Sequence, residues 1–180
     1  MQPAGRRLLY VLLLSPLYRE YVMRPNIVFF FSDQQRYDSL GCNGQSLPVS
    51  PILDAFARTE ATNFKNAVTV QPVCGPARSA LQTGLYPTET GCYRNAISIS
   101  EQTKALGHYM SEAGYSTAYV GKWHLGSDID NPDCRTETIG PVPQEKRGGY
   151  QDYWMVSDIL ELTSHGYDGY VFDKDNRRVD

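Results

Sequence analysis

The sequence predicts an α/β protein built on a mostly parallel sheet flanked by helices. Three observations predict it: an unbroken apolar run at 26–32, a second stretch rich in β-formers at 115–120, and helix-periodic segments between them. A strand covered on both faces reads as continuous apolar sequence, and alternation of strand and helix along a chain favours parallel pairing. At 180 residues, 41% of them hydrophobic, the chain is large enough to bury one substantial core.

Ahead of the first expected strand, Arg6 and Arg7 precede an apolar run at 8–14. That run is short for a secretory signal, no A-x-A site follows it, and it cannot span a bilayer. Met23, which leads through Arg24-Pro25-Asn26 into the first strand, is the preferred start. On that reading residues 1–22 are a mis-assigned extension, residues 23–180 are the domain, and the protein is cytoplasmic. A signal peptide would place it instead in the periplasm or outside the cell.

The strand at 26–32 ends at Asp33. Ser50-Pro51 then offers an N-cap and a proline for the first helical turn, with Ile52, Leu53, Phe56 and Ala57 on one face. A second strand is expected at 64–70, broken by Pro72. Residues 78–83 have helical propensity and are closed by Gly84, so Val73-Cys74-Gly75-Pro76-Ala77 falls at a helix N-terminus. Ser98 and Glu101 suit a capping box for a helix carrying Ala105, Leu106, Tyr109, Met110 and Ala113 on one stripe, stopped by Gly114. The third strand, 115–120, runs into Gly121-Lys122-Trp123-His124. From 127 to 149 prolines and the Gly148-Gly149 pair predict loop, and the aromatic remainder shows no obvious closing element.

Composition excludes several functions. The net charge is −3 and the cations are scattered, so no basic face exists for nucleic acid. Cys42, Cys74, Cys92 and Cys134 lack metal-knuckle spacing, and such thinly spread cysteines suit a reducing compartment slightly better than a disulfide scaffold.

A parallel sheet opens its ligand crevice at the C-terminal ends of its strands, which directs attention to Asp33, to the turn at 74–78, and to Lys122 with His124. A cysteine at a helix N-terminus shares the environment that favours anions, and Arg78 lies one turn further along the same face. In extended backbone Lys122 and His124 point to one side and Trp123 to the other. Asp33 offers a hard oxygen to Ca²⁺ or Mg²⁺. Each of these has a plainer reading: Cys74 as a small buried side chain, Asp33 as a cap, Lys122 as a solvated charge, His108 and His165 as surface residues, and Asp128, Asp130 and Asp133 as turn structure rather than a calcium loop. Two generic motifs fail on a residue: a cysteine phosphatase needs arginine where Ala80 stands, and a P-loop needs glycine where Ser116 stands.

Cys74-Gly75-Pro76-Ala77-Arg78, followed by Leu81-Gln82-Thr83-Gly84, resembles the sulfatase signature C-x-P-x-R with its downstream T-G. Arg24-Pro25-Asn26 to Asp33 resembles the opening strand of that family, and the segment from Ala113-Gly114-Tyr115 through Gly121-Lys122-Trp123-His124-Leu125-Gly126 resembles its second hallmark. The resemblance is close over 24–126 and implies an alkaline-phosphatase-like fold, truncated here. It implies that a maturase oxidises Cys74 to formylglycine, whose hydrate attacks sulfur with one hydroxyl and expels sulfate with the other. Pro76 and Arg78 would belong to the maturase recognition element, with Arg78 also holding the hydrated aldehyde. Asp33 and residue 74 would bind the divalent cation, Lys122 the sulfate oxygens, His124 the formylglycine hydroxyl, and Asn95 the substrate.

The chain departs from the pattern at Gln34, where many relatives carry a second aspartate, and at Ala77, where serine is common. The family's remaining metal ligands and a further lysine and histidine have no counterpart before Asp180, so the expectation is little turnover from this chain alone. Three functions stay open: a sulfate monoester hydrolase acting on a small molecule or carbohydrate, a phosphonate or phosphate diesterase of the same superfamily, and a silent truncated chain.

Overall fold

The computed structural model describes residues 24–128 and 138–180. The N-terminal extension and the Asp130, Asp133 and Cys134 positions therefore lie outside the described residues. The described residues fall in two units, divided between Ser32 and Asp33.

In the first unit, residues 24–32 are described, and they form no strand. Val28 and Phe30 are 89% and 90% exposed, and Phe29 stacks on Phe31 at 6.3 Å. The expected strand is thus not formed. An apolar run specifies that a segment prefers burial, but a strand also needs a hydrogen-bonded neighbour, and no ladder pairs with this one among the described residues.

In the second unit the expected strand at 64–70 also fails, because the Ala67 N–H turns back to the Phe64 carbonyl at 3.3 Å. The sheet is built instead from β1 (Ala118–Lys122), β2 (Tyr153–Ser157), β3 (Val171–Asp173) and β4 (Arg178–Val179), in that spatial order. β1 and β2 are parallel, with Lys122 opposite Ser157, while β3 pairs antiparallel with β2 and β4 with β3. The α/β class holds, and the described sheet is mixed, its parallel pairing confined to β1 and β2. β2 carries a plain period-2 signal, with Trp154 and Val156 buried on one face. β3 and β4 are joined by a turn in which the Asp173 carboxylate accepts from the Asp175 and Arg177 amides at 2.9 and 2.8 Å.

Among the described residues the helices are α1 (Pro51–Thr59), α2 (Cys74–Thr83), α3 (Pro87–Thr90), α4 (Leu106–Glu112) and α5 (Leu160–Thr163). α1 starts at Pro51 as expected, but Ser50 does not cap it. The Ser50 hydroxyl accepts from the Gly41 N–H and donates to Asp54, which also accepts from the Cys42 N–H at 2.7 Å. This polar cluster fixes which side of α1 is covered, so Asp54 is buried while Ile52, Leu53 and Phe56 of the expected inner face are exposed. α4 starts one residue after Ala105, whose N–H donates to His108 Nδ1 at 3.1 Å. The cap is therefore His108, not the Ser98–Glu101 pair.

The core lies behind the end of β1. Trp123, Leu125, Trp154 and Val156 are buried with Val142, Tyr150, Cys92 and Ile99. Tyr119 stands among the rings of Trp123, Tyr150 and Trp154 at 5.0, 5.2 and 5.6 Å. Ring contacts of this kind add to the area they bury, and they fix the strand end that presents Lys122.

Candidate active site

α2 begins at Cys74, with Val73 still extended, and ends on Gly84 in the left-handed conformation at φ 72°. This places the Cys74 thiol and the Arg78 guanidinium one turn apart. Both meet Asp33: the thiol donates to Asp33 Oδ1 at 3.5 Å and the guanidinium lies 3.6 Å from Asp33 Oδ2. Lys122, the last residue of β1, reaches the same carboxylate, its ammonium donating to Asp33 Oδ2 at 2.7 Å. Four of the expected site residues thus meet in one cluster.

Arg78 has a second task. Its guanidinium donates to the Lys122 carbonyl at 2.6 Å and to the Tyr119 hydroxyl at 3.3 Å, and that hydroxyl donates to the same carbonyl at 2.8 Å. The buried arginine thus bolts the start of α2 to the end of β1. Asn95 also sits at this helix start, where its side-chain oxygen accepts from the Gly75 N–H at 2.8 Å. One of the amides expected to face an anion is committed to Asn95 instead.

Glu161, in the first turn of α5, is a member that sequence reasoning missed. Its carboxylate accepts from the Lys122 ammonium, and ligand atoms of Asp33, Cys74 and Glu161 all lie within 4.8 Å of one another. The only signal for it was position, just beyond a strand that had not been recognised.

His124 lies past the end of β1, so strand alternation does not govern its direction. Its backbone is left-handed at φ 60°, and its N–H donates to the Asp158 carbonyl at 2.7 Å. The imidazole is buried, and Nδ1 has no hydrogen-bond partner among the described residues. The surrounding charges are Lys122 and Arg78 on one side of the balance and Asp158 and Glu161 on the other.

These environments set the charge states. Burial pushes the Asp33 carboxyl up, but the hydrogen bond and charge of Lys122, with Arg78 and the Cys74 thiol, hold it below the ordinary value. Burial opposes the Lys122 charge, and the bonds to Asp33 and Glu161 prevail and raise it. Burial, with help from Lys122, pushes His124 below its ordinary 6.5. An unfolded chain then takes up the His124 proton at higher pH than the folded one. The stability from keeping this ring neutral is complete above about pH 6.5 and is lost as pH falls through the folded value. Asp33 acts in the same direction lower down: its contribution is present above about 3.8 and is lost as pH falls through its depressed folded value. The urea midpoint should therefore drop between about pH 7.5 and about pH 5.5, and His124→Gln should flatten the drop. Identical slopes in the two proteins would remove His124 from the account.

In donor type the cluster suits a hard divalent cation only in part. Two carboxylates fit Ca²⁺ or Mg²⁺, a thiol does not, and an oxygen-bearing side chain at 74 would. The cationic pair Arg78 and Lys122 stands beside the Cys74 thiol at a helix start, an arrangement suited to holding an anionic group.

Residues 25–175 match the Sulfatase family profile. The chain is 38% identical over 157 residues to an ulvan-active sulfatase of Formosa agariphila, covering 87% of this chain and 28% of that protein. It is 31% identical over 149 residues to an N-acetylglucosamine-6-O-sulfatase of Bacteroides thetaiotaomicron, covering 83% and 26%. Among solved structures, one of a protein in complex with its substrate D-glucosamine-2-N,6-O-disulfate superposes with a TM-score of 0.67 at 28% identity, covering 87% of this chain and 27% of the other. This chain belongs to the sulfatase family. It spans about a quarter of the length of these relatives.

Proposed function

We propose that this chain carries the nucleophile-bearing part of a sulfuric ester hydrolase site that acts on a sulfated carbohydrate. The observation that carries the reading is the meeting of Asp33, Cys74, Arg78 and Lys122 around one carboxylate. The carbohydrate class is supported by the sulfated sugar named for one relative and the disulfated glucosamine of the structural neighbour.

In this reading a maturase, drawing on an external oxidant, converts Cys74 to formylglycine; one hydroxyl of its hydrate attacks sulfur as the S–O bond to the departing alcohol breaks, and loss of the proton from the other expels sulfate and restores the aldehyde. Asp33, residue 74 and Glu161 would hold a Ca²⁺ or Mg²⁺ ion, which supplies Lewis-acid polarisation of the ester. Lys122 has the reach to turn its ammonium from the carboxylates to a sulfate oxygen, where it would meet charge as it develops. Arg78 keeps α2 and β1 in register so that the nucleophile and Lys122 face the same group. His124, neutral near pH 7, is suited to accept the proton of a hydroxyl at position 74.

Among the described residues, Asp33, residue 74 and Glu161 offer three donor groups, about half of what Ca²⁺ takes. The test is co-expression with a formylglycine-generating maturase followed by mass spectrometry of the peptide containing Cys74. Aldehyde at 74 in the native chain, and loss of it in Pro76→Ala, is the expected result. A Cys74 that stays a thiol throughout would sink the reading. Adding a phosphodiester beside an aryl sulfate in the turnover assay separates sulfatase from diesterase chemistry.

A further inference from the structure

Beyond the residues that line the site, the least exposed acidic group in the described chain is Asp158, 1% exposed at the end of β2. A buried carboxylate is costly unless several donors replace its water. Here four do. Oδ1 accepts from the Leu125 and Gly126 amides at 3.1 and 2.9 Å, and Oδ2 accepts from the Ser127 amide and hydroxyl at 3.0 and 2.5 Å. Three successive amides converge on one side chain, a backbone nest that fixes the path of the turn.

The turn is tight as well as bonded. A Cβ on Gly126 would stand 3.0 Å from Val142 and 3.2 Å from the Asp158 carboxylate, and Leu125 is fully buried in the core. Directly before it comes His124, held left-handed at φ 60° by its own bond to the Asp158 carbonyl. Outside glycine such a conformation is uncommon and persists only where the surroundings impose it. Both ends of one residue, carbonyl and carboxylate, impose it here.

We propose that Asp158 is a positioning residue for the sulfatase reaction: by clamping the amides of 124–127 it holds the His124 imidazole buried, two residues beyond Lys122. The proposal rests on the reading that His124 takes part in that chemistry. Lys122, Arg78 and Glu161 are the other charged groups that act on the ring.

A purely structural role and a positioning role separate in the titration of His124. Removing the negative charge while the turn stays closed lowers the ring's proton affinity, because a neighbouring anion is lost. Releasing the turn brings water to the ring and moves its titration up, toward an ordinary histidine near 6.5. The experiment is NMR titration of the three imidazoles in the native chain and in Asp158→Asn, with His124→Gln for assignment. The proposal expects an upward shift of His124 alone, with hydrogen exchange at the amides of 125–127 at least about tenfold faster and the β1 and β2 amides unchanged. A downward shift, or no shift, overturns it. If Asp158→Asn does not fold, Ser127→Ala, which removes one of the four donors, decides on the same criterion with a smaller upward shift. None of these readouts needs formylglycine or turnover. A Cys74 that resists the maturase would therefore overturn the sulfatase reading while leaving the clamp measured.

Discussion

Arg78→Ala should lower the unfolding free energy by about 2–4 kcal/mol, more than any other single truncation within the site. Arg78 is 5% exposed, so its partners are deprived of a donor in a place that water reaches poorly. Two acceptors are affected, the Lys122 carbonyl and the Tyr119 hydroxyl, and a charge partner of Asp33 disappears with them. The carbonyl keeps one bond, from Tyr119, and Asp33 keeps Lys122, which is why the loss is placed below the sum of three separate costs. Arg78→Lys should recover little, because a single ammonium cannot reproduce the fork that serves carbonyl and carboxylate together. Urea denaturation at neutral pH measures both. A loss under about 1 kcal/mol for Arg78→Ala would show that α2 is held to β1 by other means.

Gly149→Ala should cost about 3 kcal/mol or more and could prevent folding altogether. Two independent penalties act at this position. Its φ of 88° is one that L side chains rarely adopt, and a Cβ there would stand 2.3 Å from the backbone nitrogen of His108. Gly107, on the opposing helix, is packed the same way, with a Cβ falling 2.6 Å from the Gly148 carbonyl oxygen. Backbone cannot step aside as a flexible side chain can, so α4 would have to lift from the loop. Gly166→Ala is the control: its Cβ meets nothing within 4 Å, and the change should fall within about 0.5 kcal/mol of native. Equal stability of the two variants would contradict the close contact between α4 and the Gly148-Gly149 turn.

Much of the site could be read from the sequence because its members are local signals. Cys74, Arg78 and Gly84 spell a helix start, a same-face partner and a left-handed stop, and each stands where that grammar puts it. Lys122 was found because it closes a stretch of β-formers. What escaped was set by pairing across the chain. The run at 26–32 is apolar enough for a buried strand, yet among the described residues it joins no sheet. The inner face of α1 was assigned from Ile52, Leu53 and Phe56, while the hydrogen bonds of Asp54 to Ser50 and Cys42 decided the matter the other way. Glu161 and Asp158 share one reason: both follow β2, whose alternation of Trp154 and Val156 lies in the aromatic remainder where the sequence reading finds no obvious closing element. Asn95 was sought as a contact for substrate and is found bracing Gly75.

The pairing of Lys122 with both Asp33 and Glu161 has a consequence for how a ligand arrives. Two cations, Arg78 and Lys122, are matched by two anions, so the resting cluster presents little net field to a distant molecule. The chain as a whole is negative and offers no attraction of its own to an anion. Diffusional capture should then be slow and nearly indifferent to ionic strength, with recognition won only on contact, when an incoming oxyanion exchanges places with a carboxylate on the lysine.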